Sequence, residues 1–189
     1  MMAAQETLAM LKNILNPEKC LQAQNATITI AETGKQATLK KINIVSVGTD
    51  AFALKLDECG FPGQKAFVAQ HDMHRACDAV IFCVVGGEPF ILCIELKSSE
   101  PNRSDIAQQF RSAHCLLDFL DSLLRNYHHL SLTNWPRRYF LFHDQGKNHL
   151  AKTPLIEHNE NDHPEKALFL PVANEQRIYL RKLIGRAQP

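Results

Sequence analysis

Three residues in the middle of the chain, Asp78, Glu95 and Lys97, have side chains that could perform chemistry together. Two carboxylates with open coordination positions suit Mg²⁺ or Mn²⁺, which prefer hard oxygen ligands and keep several waters. A neighbouring lysine can position a water molecule or balance the charge that develops when a phosphodiester is attacked. These residue types therefore indicate metal-assisted hydrolysis of a phosphate ester, provided that the fold brings them together.

The elements that would position these side chains are two apolar segments, residues 78–85 and 90–97. The four residues between them are too few for a crossover connection, so the segments predict an antiparallel hairpin. With a turn over these four residues, Asp78 lies opposite Lys97, and Val80 lies opposite Glu95. Directly opposed residues share a face of the sheet, as do residues two apart on one strand. We therefore expect Asp78, Glu95 and Lys97 to share one face, an arrangement that a register slip of one residue would break.

The two strands of this hairpin are apolar on both faces, which predicts a central position in a covered sheet. Burying two carboxylates and an ammonium among such strands is costly unless the groups pair with one another or bind a metal. An ion pair of Lys97 with Glu95 or Asp78, without catalysis, is therefore the structural alternative to a metal site.

Around the hairpin, the hydrophobic pattern changes between helical and strand periods. It predicts helices at 3–15, 104–126 and 174–184, and further strands at 26–31, 39–47, 51–56, 138–143 and 167–172. The polar stretch 144–165 predicts a long surface loop. A chain of 189 residues is long enough for one domain but short for two cores. We therefore expect a single α/β domain over residues 1–189.

The overall composition limits the partners and the compartment. The formal charge is +1, from 21 basic and 20 acidic residues, which argues against binding of nucleic acid by bulk charge. No apolar run approaches the roughly 20 residues of a membrane helix, and the first ten residues lack the pattern of a secretory signal. The six cysteines form no CxxC pair. We expect reduced thiols, a cytoplasmic location and no membrane partner.

The pattern of Asp78, then sixteen residues, then Glu95-Leu96-Lys97 resembles the motif of the PD-(D/E)XK nuclease superfamily. The resemblance implies the restriction-endonuclease-like fold, a mixed central β-sheet flanked by helices, with the motif on a β-hairpin. It implies that Asp78, Glu95 and the backbone carbonyl of Leu96 bind Mg²⁺ or Mn²⁺, while Lys97 helps to activate the attacking water. The residue before Asp78 is Cys77 and not proline, at a position where the superfamily varies freely.

The helix that follows the motif commonly supplies a glutamine or another polar residue to the site in this superfamily. Here that helix offers Gln108 and Gln109. At 100° per residue, Gln109 lies beside Ile106 and Ala113 on the inward face, and Gln108 points away. Gln109 is therefore the candidate for an additional catalytic residue.

The resemblance implies a metal-dependent nuclease that hydrolyses phosphodiester bonds of nucleic acid in bacterial defence, restriction or repair. DNA is favoured over RNA as the substrate. The near-neutral charge predicts weak, salt-sensitive binding by the isolated chain, so a homodimer or a partner subunit would assist targeting. The alternative is a catalytically inactive nuclease-like module that binds a protein partner or nucleic acid.

Weaker signals elsewhere in the sequence each have a simpler explanation. His71, His74 and Asp78 could bind zinc, but no fourth ligand is evident. Glu6 could add an acid from the first helix, although an acid in a first turn is also explained by the helix dipole. Arg177 and Arg181, four apart on the predicted last helix, could line a nucleic-acid groove, although solvated charges are the default interpretation.

Overall fold

The computed structural model describes residues 2–32, 34–56, 76–144 and 161–185. Within these ranges the helices and strands have the following bounds: α1 (Met2–Ile14), β1 (Cys20–Gln22), β2 (Thr27–Ala31), β3 (Lys41–Val45), β4 (Phe52–Lys55), β5 (Ala79–Val85), β6 (Glu88–Lys97), α2 (Arg103–His128), β7 (Arg137–Asp144), β8 (Leu168–Val172), β9 (Arg177–Tyr179) and α3 (Leu180–Leu183).

The central sheet has six strands in the order β1-β4-β5-β6-β7-β8. The pairs from β1 to β6 are antiparallel, and β6, β7 and β8 are parallel, so the sheet is mixed. The prediction of a mixed α/β protein with a mixed central sheet is confirmed. A second sheet, in the order β2-β3-β9, was not predicted.

Both faces of the central sheet are covered, which explains why β5 and β6 carry apolar residues on both faces. Alternate residues of each strand enter different apolar clusters, as Ile81 and Phe82 of β5 do. The cluster on one face includes residues of α1 and α2, and the cluster on the other includes residues of β2, β3, β9 and α3. The expected helices thus cover one face only, and the second sheet with the single turn α3 covers the other.

The helix α2 follows its predicted pattern. Asn102 caps it, its side-chain oxygen accepting a hydrogen bond from the Ser104 amide at 3.0 Å. The helix ends at His129, whose backbone is left-handed with φ 57°. The predicted inward face is buried along its whole length: Ile106, Phe110, Ala113, Leu117, Leu120 and Leu124. No helix among the described residues is long and apolar enough to span a membrane.

The predicted helix 174–184 is wrong for its first half. Residues Arg177–Tyr179 form β9, parallel to β3, and only Leu180–Leu183 are helical. Asn174 fixes the start of this segment, because its side-chain oxygen accepts hydrogen bonds from the amides of Lys40 and Lys41 at 2.8 and 3.0 Å. Pairing with a strand more than 130 residues away in sequence therefore overrides the local helical pattern. Arg177 and Arg181 do not share a helix face.

Three other predictions lie partly or wholly outside the described residues. Of the predicted loop 144–165, residues 145–160 are not described. Asn161 is buried, and its side-chain amide donates a hydrogen bond to the Tyr139 carbonyl at 3.1 Å. His71 and His74 are not described. The five described cysteines all have free thiols, and Cys77, Cys83 and Cys93 are buried.

Candidate active site

The hairpin that carries the three candidate residues has a tighter turn than predicted. Val85 pairs with Glu88, and the turn is Gly86-Gly87 with φ 59° and 85°. Two consecutive residues with positive φ match the type I′ turn, which suits the twist of two antiparallel strands. The expectation of a four-residue turn is therefore wrong.

The tighter turn shifts the register of the hairpin by two residues. Val80 pairs with Cys93 and not with Glu95 as predicted, and Ala79 pairs with Ile94. Asp78, one residue before β5, comes opposite Glu95 and not opposite Lys97. Because side chains alternate with a period of two, a shift of two leaves every residue on its predicted face.

Asp78, Glu95, Leu96 and Lys97 come together where β5 begins and β6 ends. The Asp78 amide donates a hydrogen bond to Oε2 of Glu95 at 3.1 Å. The Leu96 amide donates to Oδ2 of Asp78 at 2.6 Å. The Lys97 ammonium forms an ion pair with Oε1 of Glu95. Each acid is thus held by backbone of the opposite strand.

Burial of the two acids determines the electrostatics of this cluster. Burial raises the pKa of Asp78, and the charge of Glu95 raises it further. Burial also raises the pKa of Glu95, although the Lys97 ammonium opposes this. Burial acts to lower the pKa of Lys97, but the Glu95 carboxylate outweighs it and the pKa rises. Burial therefore makes the ionised form of both carboxyl groups costly, and the Lys97 ammonium offsets part of this cost at Glu95.

A third acid near the cluster, Glu32, was not identified in the sequence. It directly follows β2, is half-buried, and accepts a hydrogen bond from the Gly34 amide at 2.8 Å. Its loop is attached to the end of β6, because the Thr38 amide donates to the Ser98 hydroxyl at 2.9 Å. The charge of Glu32 raises the pKa of both Asp78 and Glu95. No local motif marks Glu32, since a contact 60 residues away in sequence brings its loop here.

His143, another residue missed in the sequence, lies beside Lys97. The two residues are register partners on the parallel strands β7 and β6, so their side chains project from the same face of the sheet. The sequence predicted the strand that contains His143 but gave no signal for its neighbour or its register.

The structure does not join the remaining candidates to the cluster. Gln109 is half-buried on α2, and so is Gln108, which was expected to point away. Among the described residues, no hydrogen bond connects Gln109 with Asp78, Glu95 or Lys97. Glu6 is exposed on α1.

The carboxylate and carbonyl oxygens of the cluster are of the donor type that Mg²⁺ and Mn²⁺ prefer. In an antiparallel ladder, the N–H and C=O of one residue point toward the same neighbouring strand. Because the Leu96 N–H donates to Asp78, the Leu96 carbonyl faces that side as well. In the described part of the chain, no three His, Cys, Asp or Glu side chains are grouped as in a metal site. A metal here would use two carboxylates, one carbonyl and water, a set suited to Mg²⁺.

Comparison of the chain with protein-family models, with curated proteins and with solved structures finds no match. The functional conclusion therefore depends on the geometry of the cluster itself.

Proposed function

We propose that the protein is a metal-dependent nuclease with a PD-(D/E)XK-type site, hydrolysing phosphodiester bonds of nucleic acid, DNA in preference to RNA. One observation carries the proposal. The Glu95 carboxylate accepts a hydrogen bond from the Asp78 amide, the Asp78 carboxylate accepts one from the Leu96 amide, and Lys97 forms an ion pair with Glu95.

The residues have separate roles in this proposal. Asp78, Glu95 and the Leu96 carbonyl would hold Mg²⁺ or Mn²⁺, which supplies Lewis-acid activation of the phosphate and of a bound water. Lys97 positions the attacking water and balances charge on the phosphate. The side chain of Lys97 is 33% exposed, whereas that of Glu95 is 1% exposed. Lys97 is therefore anchored by a buried carboxylate and is still accessible to solvent and to a substrate. Gln109 remains a candidate to orient the site from α2.

The proposal extends to the fold family and the setting. The mixed sheet, the motif hairpin and the helix after it support a restriction-endonuclease-like fold, although a second sheet covers one face. A net charge of +1 supports weak binding by the isolated chain, hence a homodimer or partner subunit in targeting. The free thiols of the described cysteines support a reducing, cytoplasmic setting, and we propose a role there in defence, restriction or repair.

Cleavage assays on single-stranded DNA, duplex DNA and RNA test the proposal. We expect cleavage with Mg²⁺ or Mn²⁺, loss with a chelator, and at least a hundredfold loss in Asp78→Ala and Lys97→Ala, in line with the roughly 10²–10³ typical of a removed charge-stabilising group. The exposed residues Asp50 and Lys166 provide the matched controls Asp50→Ala and Lys166→Ala. Equal cleavage by the site variants and the controls would refute the proposal.

A specific observation favours the second candidate, a catalytically inactive module that binds a protein or nucleic acid. The Lys97 ion pair and the two amide hydrogen bonds already compensate the buried acids without a metal. Calorimetric titration separates the two functions. Heat of Mg²⁺ binding that disappears in Glu95→Gln supports the nuclease, and absence of Mg²⁺ and Mn²⁺ binding supports the inactive module.

A further inference from the structure

We infer that Arg103 and His143 contact phosphates of the substrate next to the scissile bond, so that the nucleic-acid backbone crosses the C-terminal part of β7 and the first residues of β8. The inference rests on the proposed nuclease function and names the path of the substrate over the site. Neither residue belongs to the motif, and both become evident only from the arrangement of strands and helix.

The strand register places His143 beside the cluster. His143 is the register partner of Lys97, and adjacent strands lie about 4.8 Å apart. The side chain of His143 is half-buried and lies on the same face as Lys97. A ring N–H at this position can donate to a phosphate one step from the lysine.

Arg103 is fixed over the next strand. Phe169 of β8 is the register partner of Leu141, which is itself the partner of Glu95, so the phenyl ring lies on the same face two strands from the acid. The guanidinium of Arg103, in the first turn of α2, lies 4.4 Å from the centroid of this ring. Stacking on an aromatic face fixes a guanidinium in place without consuming its N–H donors.

Arg103 is also available for a ligand. Its side chain is exposed, and among the described residues no carboxylate forms an ion pair with it. Other arginines of α2 differ in this respect, because Arg111 pairs with Glu165 at 2.7 Å and Arg125 pairs with Asp121 at 3.1 Å. A guanidinium held by a ring and lacking a carboxylate partner is suited to the phosphate backbone.

The groups that could bind phosphate lie on one side of the acids. Lys97, His143 and Arg103 follow one another from β6 across β7 to β8, on the face that α2 covers. The substrate phosphate at the acids would therefore be flanked by phosphates over β7 and β8. This local row reconciles a net charge of +1 with a polyanionic substrate.

Salt dependence of binding tests the inference directly. The affinity of the full chain for a labelled 20-base-pair duplex is measured in chelator, where the proposed hydrolysis does not occur, at several salt concentrations. One lost phosphate contact lowers the slope of log affinity against log salt by about 0.9. We expect this loss in Arg103→Gln but not in Arg103→Lys, which keeps the charge, or in Arg125→Gln, which removes a paired arginine of the same helix.

His143 has its own comparison within the same assay. We expect about three- to tenfold weaker binding in His143→Ala, as for the loss of one hydrogen bond, and partial recovery in His143→Gln, which retains an N–H donor. Urea unfolding of each variant identifies any loss that comes from misfolding.

The outcomes separate this inference from the proposed function. A slope for Arg103→Gln equal to that of the wild type, or equal losses in Arg103→Gln and Arg125→Gln, overturns the inference, even if the wild-type chain cleaves DNA. The expected slope change in a chain that does not cleave DNA with Mg²⁺ supports the binding path and overturns the proposed hydrolysis alone.

Discussion

The backbone amide of Asp78 donates a hydrogen bond to Oε2 of Glu95 at 3.1 Å, so the start of one strand holds the acid of its neighbour. The other acid is held in a similar way, because the amide of Leu96, next to Glu95 on β6, donates to Oδ2 of Asp78 at 2.6 Å. Both carboxylates are therefore held by backbone amides, which would preorganise them for the metal that we propose. Such preorganisation lowers the cost of assembling a charged site, because the ligands need not be ordered on binding.

The first prediction concerns how far the two buried carboxylates lower the free energy of unfolding. Asp78→Asn should raise the free energy of unfolding of the metal-free protein by about 1 kcal/mol at neutral to alkaline pH. The variant removes a poorly solvated charge next to Glu95, while the asparagine oxygen can still accept from Leu96. Urea unfolding, with and without Mg²⁺, measures the difference.

The stability difference between Asp78→Asn and the wild type depends on pH, because the pKa of Asp78 is raised in the folded protein. The wild-type chain therefore loses stability as pH rises from the unfolded carboxyl pKa, about 4, through the folded value. The variant lacks this loss, so the difference between the two proteins should vanish toward low pH. A gap that is constant with pH would contradict the assignment to Asp78.

The second prediction separates Lys97 as a structural partner from Lys97 as a participant in hydrolysis. Lys97→Met leaves the Glu95 carboxylate buried without its ion pair, at a cost of about 1–3 kcal/mol in the free energy of unfolding. Mg²⁺ no longer competes with an ammonium, so it should bind at least as tightly as to the wild type. Calorimetry and a cleavage assay should thus show metal binding retained and cleavage lost; weaker Mg²⁺ binding would argue against Glu95 as a ligand.

The faces of the hairpin could be predicted from the sequence, but its register could not. Apolar runs on both sides of Gly86 and Gly87 indicate two covered strands, whatever the turn type. Asp78 and Glu95 stay on the same face after any register shift by an even number of residues, and only an odd shift would separate them. The hydrogen bond between them depends on the register itself, which the type I′ turn decides.

The surroundings of the site could not be predicted, because they come from distant parts of the chain. The Thr38–Ser98 hydrogen bond brings the loop of Glu32 to the site. The parallel pairing of β6 with β7 brings His143 beside Lys97. Neither contact leaves a periodic signal in the sequence, in contrast to the apolar face of α2. The same limit explains the wrong helix at the C-terminus, where pairing with β3 makes residues Arg177–Tyr179 a strand.

The third prediction tests the electrostatic effect of Glu32. Mg²⁺ affinity of the wild type should rise with pH as protons leave Asp78 and Glu95. Because the charge of Glu32 raises the pKa of both acids, Glu32→Gln should move this rise to lower pH. Calorimetric titration across pH measures the midpoint, with Glu18→Gln as a control at an exposed glutamate. An unchanged midpoint would show that Glu32 does not act on the two acids.

The fourth prediction tests the turn that sets the register of the site. Gly86 and Gly87 have φ of 59° and 85°, a conformation that costs a residue with a Cβ about 1 kcal/mol. Gly86→Ala should therefore lower the free energy of unfolding by about that amount, whereas Gly86→Asn should stay within about 0.5 kcal/mol of the wild type, because Asn-Gly favours type I′ turns. Urea unfolding of the two variants checks the order. Since both positions lie at the opposite end of the hairpin from Asp78, Mg²⁺ binding should be unchanged in each folded variant; equal stability of the alanine and asparagine variants would instead favour the four-residue turn.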